Sequence, residues 1–278
     1  MAELSLGSPA KVGWVSVFSI NNGLSVWCGA MFGAQILFAF YLLCIYLLPT
    51  LLGATEILQQ SGSIKGYREG DAAGNFIFLS HVIPAALLSV SGTLQLIPSI
   101  RNNHLQFHRW NGRFFLTVGV LGAVTGLYLT WVRGARLSDI GAIGITLNGL
   151  LIPLFVALAW RFALLKQWNS HQRFAVHAYI LINGVLSFRL FLMSWYFLNQ
   201  GANGNNSTLD GPADIALSFA CYCVPMAVYE LCRWAQSAGG FVRSVATVTV
   251  WVMACGTFIG LLTAGAFMWA PKLVAIYS

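Results

Sequence analysis

Charge is what this chain has least of. Lys and Arg number 15 and Asp and Glu only 8, so charged residues make up 8% of 278 residues, where a soluble domain carries roughly a quarter. So few charges cannot build a water-soluble surface, and with 58% hydrophobic residues the solvent for most of this surface must be lipid. Other absences narrow the function classes. Among Cys28, Cys44, Cys221, Cys223, Cys232 and Cys255 there is no C-x-x-C pair, and all six sit in or beside apolar runs. They read as buried small hydrophobes, which excludes a disulfide framework. No nucleotide-binding loop, nucleophile elbow or H-E-x-x-H helix occurs. Met1 to Ala10 lacks the basic start and cleavage site of a signal peptide. No polar segment is long enough to fold alone, and no inverted repeat of broken helices is visible.

What the chain does have is apolar runs of about the 20 residues that cross hydrocarbon. Seven are expected: 27–53, 76–100, 114–131, 140–160, 174–198, 213–232 and 241–269. The fold class is therefore all-α, a polytopic transmembrane bundle of about seven spans. Residues 27–278 form one seven-helix domain, and residues 1–26 an N-terminal interfacial segment. Pro84, Pro153 and Pro225 fall inside runs and are expected to kink their helices. Gly122 with Gly126, and Gly256 with Gly260, are one turn apart and suit close helix approach.

The loops give an orientation, because Lys and Arg collect on the cytoplasmic side. With the N-terminus inside, the inner loops hold Lys11, Arg101, Arg109, Arg113, Arg161, Lys166, Arg173, Arg233 and Arg243. The outer loops hold Glu56, Glu69, Asp71, Asp139, Asp210 and Asp214 together with five cations. This places the C-terminus outside. The net charge of +7 is then a topology signal and a source of contact with anionic headgroups, and nucleic acid is not expected as a partner. A bacterial inner (plasma) membrane is the expected location.

Ionisable groups within spans are costly, by a few kcal/mol at mid-helix, and mark candidate sites. His81, Arg189 and Asp214 fall in the outer third, where Asp214 is expected to pair with Arg189 in a structural network or a ligand or proton site. A denser inner group comes from two basic turns: His108, Arg109 and Arg113 from one, His171, Arg173 and His177 from the next. Glu230 lies at the inner end of the sixth span. Arg173 and His177 are four apart and share a helix face. One reading of this group is interfacial anchoring by arginines and Trp110. The other is a site for an anionic headgroup, a quinone or a haem. A bis-histidine haem b needs two histidines at one depth on facing helices, which His108 with His171 or His177 would supply, with Arg109, Arg113 and Arg173 on its propionates. His81 has no second histidine on its side, so two haems are not expected. Zinc would need three or four clustered ligands.

The stretch His108-Arg109-Trp110-Asn111-Gly112-Arg113, preceded by His81 and followed by His171-Gln172-Arg173 and Arg189-Leu190, resembles an uncharacterised bacterial family of predicted multi-pass membrane proteins. The resemblance covers spans two to five. The chain departs from the family pattern at Phe174 and His177, where the family has tryptophan and arginine. The resemblance implies a membrane protein, and the family carries no activity to transfer.

Two functions are expected from these residues. The first is an electron-transfer protein holding one haem b at the inner side, similar to diheme cytochrome b carriers in having histidines near helix ends. The second is a non-enzymatic binder or transporter of an anionic or amphipathic small molecule, with a His/Arg site whose histidines titrate near physiological pH.

Overall fold

A computed structural model of the chain describes residues 19–60 and 66–278. Most of the 1–26 segment, with Lys11, and Lys65 in the first long loop lie outside the described residues. Among those described, the chain is helical without strands. The long helices in order are α1 (Ile20–Leu52), α3 (Ala72–Leu96), α5 (Leu105–Trp131), α6 (Ala142–Leu164), the pair α7 (Trp168–Ile182) and α8 (Gly184–Leu198), α9 (Pro212–Ala235) and α10 (Gly240–Tyr277). The short helices α2 (Thr55–Gln60) and α4 (Pro98–Asn103) join α1 to α3 and α3 to α5.

Six of these are each long and apolar enough to cross a membrane, and α7 and α8 qualify together across a 61° bend. The packing of α1 on α10 shows that this pair crosses once. Gly23 faces Val250, Gly33 faces Leu261 and Leu37 faces Gly265. The two series rise together, so α1 and α10 are parallel. Five helical passages lie between them only if α7–α8 counts as one crossing, since a re-entrant loop would leave α10 antiparallel to α1. Among the described residues the bundle therefore counts seven candidate spans, as the apolar runs foretell.

The bent fifth span is the centre. α7 packs on α6, while α8 packs on α9 and α10; the remaining helices close a ring from α1 through α3, α5 and α6 to α9 and α10. Two core clusters result. One joins Phe38, Tyr41 and Ile45 of α1 to Leu186, Leu190 and Trp269. The other joins Ala123, Ile152, Val156, Leu181 and Tyr222. Large apolar side chains such as Leu150, Leu154, Val248, Val252 and Leu262 remain exposed on the outside, where lipid and not water is the neighbour.

The bend does not fall at a proline. The helices run on through Pro84, Pro153 and Pro225. The break lies at Asn183, whose φ and ψ are −91° and 9°, and three neutral amides gather there, two of them bonded to the backbone and the third to the Asn183 side chain. Asn183 Nδ2 donates to Tyr179 O (2.9 Å), Asn148 Nδ2 donates to Leu181 O (3.1 Å), and Gln35 Nε2 donates to Asn183 Oδ1 (2.6 Å). The carbonyls freed by a broken helix in lipid must find such partners. Gly184 is required beside them, because a Cβ there would lie 2.3 Å from Asn148 Nδ2. The small-residue pairs are half used. Gly126 lets His81 approach and Gly260 admits the Leu190 carbonyl, whereas Gly122 and Gly256 face open space.

Candidate functional site

Helix boundaries change the setting of the basic residues. α5 begins at Leu105, not near Phe114, because nothing between them breaks a helix. His108, Arg109, Trp110 and Arg113 therefore belong to its first turns, not to a loop. Arg109 and Arg113 share one face with Leu105 and Trp110, and the Arg113 guanidinium lies 5.0 Å from the Trp110 ring centre. This exposed face has the arginine and tryptophan composition of an interfacial anchor.

The second basic group is built differently. α7 places Arg173 and His177 one turn apart, facing α9. Glu230 Oε1 accepts from Arg173 Nε at 2.7 Å and from His177 Nε2 at 2.6 Å. A carboxylate only accepts, so Nε2 carries the histidine proton. Nδ1 is buried and has no hydrogen-bond partner. A proton there would make an imidazolium with an unsatisfied buried donor, next to a carboxylate whose charge Arg173 already balances. In its neutral form the ring leaves Nδ1 as a bare acceptor. His177 is only 5% exposed, held edge-on by Phe155 and Tyr229, each with ring centres 5.4 Å away. A cavity of about 360 Å³ opens beside it, lined by Phe155, Phe174, Met226 and Ala227 on its apolar side and by Arg173, His177 and Glu230 on its polar side.

The other histidines have separate settings. His171 Nδ1 bonds to Ala159 O at 2.9 Å; the carbonyl accepts, so Nδ1 carries a proton. His108 lies within electrostatic range of His171, and its Nδ1 is buried without a partner. No group of three or more His, Cys, Asp or Glu suited to a metal ion occurs among the described residues.

The expected outer trio does not assemble. α3 begins at Ala72, so His81 sits about 14 Å along its helix, deeper than its apolar run suggests, and its Nδ1 meets Thr125 Oγ1 of α5 at 3.0 Å. Asp214 does not pair with Arg189. It is 1% exposed and receives Asn205 Nδ2 (2.6 Å), Asn206 N (2.9 Å) and Gly211 N (3.2 Å). A carboxylate in the first turn of α9 finds amide donors at hand and complements the helix dipole, so it folds the 199–211 loop onto α9. Arg189 instead donates to Val185 O at 3.0 Å and lies over the Phe38 ring.

At the same end as Asp214, a network that the sequence does not announce pins the first long loop. Arg133, 8% exposed, contacts Asp71 (3.0 Å), Gly66 O (2.6 Å) and Asn75 Oδ1 (2.7 Å), while Arg68 donates to Arg133 O. The Gly74 backbone N–H, and then the Arg133 guanidinium, hold the Asp71 carboxyl below the usual carboxylate range. Asn206 and Thr208 do the same for Asp210.

The residues missed from the sequence are the neutral amides Gln35, Asn148 and Asn183, which are as conspicuous in apolar runs as a charge would be. The role of Glu230 as joint partner of Arg173 and His177 was also not foreseen. The signal for it was its position as an acid at the basic end of the bundle.

Comparison with curated proteins and with solved structures returns no match. A family model does match, over residues 78–232, a stretch that holds His81, the His108–Arg113 turns, His171, Arg173, His177, Arg189 and Glu230. It covers more than half of the chain, and with it this chain belongs to the family described as Predicted membrane protein (DUF2306).

Proposed function

We propose that this integral membrane protein binds, or binds and carries, an amphipathic small molecule with a hydroxyl-bearing head in the cavity between α6, α7 and α9. The observation that supports this is the bare His177 Nδ1 beside that cavity. A buried acceptor without a partner costs free energy comparable to a lost hydrogen bond, and a ligand O–H would restore it. The apolar wall of Phe155, Phe174 and Met226 suits a flat apolar body. Arg173 offers its charge to an oxygen of the ligand. A quinol has this combination of groups. On binding, His177 would take a proton at Nδ1 while Glu230 holds Nε2, and Glu230 and Arg173 stabilise the resulting charge; such an arrangement exchanges protons with a ligand. The distribution of arginines supports a cytoplasmic setting for this end of the bundle in a bacterial plasma membrane.

A second reading keeps one haem b, and one observation favours it. The Ala159 carbonyl holds His171 Nδ1–H as backbone carbonyls hold the far nitrogen of metal-binding histidines, with His108 as the second ligand. Arg109 and Arg113 would then meet its propionates, and the haem would supply one-electron chemistry. With Glu230 on its Nε2, His177 would offer an iron only its buried Nδ1, wedged between two rings.

Tetramethylhydroquinone, a soluble quinol, is the probe for the first reading, titrated into the detergent-purified full chain by calorimetry. Saturable binding that falls about tenfold or more in His177→Phe and in Met226→Trp is the expected result. Equal binding by all three proteins would overturn it. An absorption spectrum of protein from haem-supplied cells decides the second reading: a Soret band lost in His171→Ala supports it, and a spectrum of tryptophan alone ends it.

A further inference from the structure

At the opposite end from the His177 cavity, the structure gathers donors and no acceptor of matching charge. Arg189 of α8 makes no ion pair among the described residues. It donates to Val185 O at 3.0 Å within its own helix, and its guanidinium lies 5.5 Å from the Phe38 ring centre. The same Phe38 ring packs on Trp269, at 5.8 Å between centroids, and Tyr41 packs on Trp269 at 6.1 Å. Trp269 is 2% exposed, and its indole N–H has no hydrogen-bond partner. An indole nitrogen can only donate. Lys272 follows Trp269 by three residues on α10 and lies within electrostatic range of Arg189; the other groups in range of Arg189 are the hydroxyls of Tyr41 and Tyr46, and no carboxylate contributes at either cation.

Two cations and an unpartnered indole N–H around one aromatic cluster form an incomplete arrangement. An uncompensated cation in a membrane span is expensive, and a second cation nearby adds to the cost. The local backbone is also shaped here. α10 passes through a π-helical stretch at Ala264–Trp269, and its parallel neighbour α1 through another at Leu43–Leu47. Such stretches widen a helix and gather at functional sites.

We infer that Arg189, Lys272 and the Trp269 indole N–H form a site for the anionic head, a carboxylate or a phosphate, of an amphiphile whose apolar chain lies along α1 and α10. The head completes the charge, accepts the indole hydrogen bond and takes the guanidinium in a charge-assisted bond. The aromatic rings around it explain why an amphiphile, and not a bare ion, is the ligand class. The site is independent of the His177 cavity, so neither stands or falls with the other.

The test is binding to the full chain in neutral detergent by native mass spectrometry, with dodecanoate, dodecanol, phosphatidylglycerol and inorganic phosphate as probes. The structure predicts retention of dodecanoate or phosphatidylglycerol but not of dodecanol. Dodecanoate alone points to a free amphiphile and phosphatidylglycerol alone to a membrane headgroup; inorganic phosphate retained as well as either would overturn the amphiphile class. Trp269→Phe keeps an aromatic ring but removes the N–H together with part of the buried ring packing, so Lys272→Gln, which changes a partly exposed group outside that packing, is the cleaner variant. Each is expected to weaken binding about tenfold, the scale of one hydrogen bond to a charged group, with the fold intact by circular dichroism. Equal retention of dodecanol and dodecanoate, no retention of any anionic probe, or unchanged binding in both variants would overturn the proposal.

Discussion

Two arginine–carboxylate groups stand at opposite ends of this bundle, and they differ in what is left over. At the Asp71 end, Arg133 meets a carboxylate, a carbonyl and an amide oxygen, while Arg68 and Asn75 close the loop around them. Among the described residues no acceptor of this group is spare, and its one buried atom without a partner is a donor, Arg68 Nε. At the Glu230 end, Arg173 and His177 share one carboxylate oxygen, His177 Nδ1 has no partner, and a cavity opens beside it. The first group has the form of a structural clasp. The second spends its hydrogen bonds on holding one nitrogen bare. The contrast shows that a charged cluster in a membrane protein is read best by its unsatisfied atoms and the space next to them.

Four substitutions test the contrast. Arg133→Met should cost the most stability, about 3 kcal/mol, because it strands a carboxylate, an amide and a carbonyl that one guanidinium satisfied; unfolding in denaturing detergent measures it. Asn183→Ala should cost about 2 kcal/mol by the same assay, since it leaves the buried Gln35 amide without its partner. Glu230→Gln should cost under about 1 kcal/mol, because Arg173 is half exposed and exposed ion pairs stabilise little, while quinol affinity drops about tenfold. A stability loss at Glu230 equal to that at Arg133 would erase the distinction between clasp and site. The smallest effect is expected at the surface pair Arg136–Asp139, where Asp139→Asn should change stability by less than about 0.5 kcal/mol.

Acid adds a further test at the clasp. The Asp71 carboxyl is held below its usual range in the fold, so its contribution is full above the ordinary aspartate value of about 3.9. It is lost as pH falls through the lower folded value. The protection of the Gly74 amide, as the ratio of intrinsic to observed exchange rate, should therefore fall in that acidic window, and Asp71→Asn should lower it at every pH.

Much of this was legible in the sequence. Low charge and seven apolar runs specify the membrane bundle, and the His108–Arg113 and His171–Arg173 stretches mark the family. Arg173 and His177 at a four-residue spacing place two of the three polar groups at the cavity. What was not legible depends on neighbours in space. Proline was the expected source of a kink, yet the bend falls at Asn183, because Gln35 and Asn148 from distant helices hold a broken turn there. Arg189 and Asp214 looked like partners by depth alone, but depth does not fix helix rotation, and Asp214 had closer donors in its own loop. The start of α5 at Leu105 escaped notice because basic residues at the membrane surface were read as a turn, where a helix extends through the headgroups without a break.

The most direct measurement of the central claim is the nitrogen-15 resonance of His177 in histidine-labelled full-length protein, assigned by its loss in His177→Phe. The account predicts an unprotonated Nδ1 in the free protein and a large shift of that resonance on adding tetramethylhydroquinone. A ring protonated on both nitrogens in the free protein, or a resonance unmoved by the quinol at saturating concentration, would contradict it.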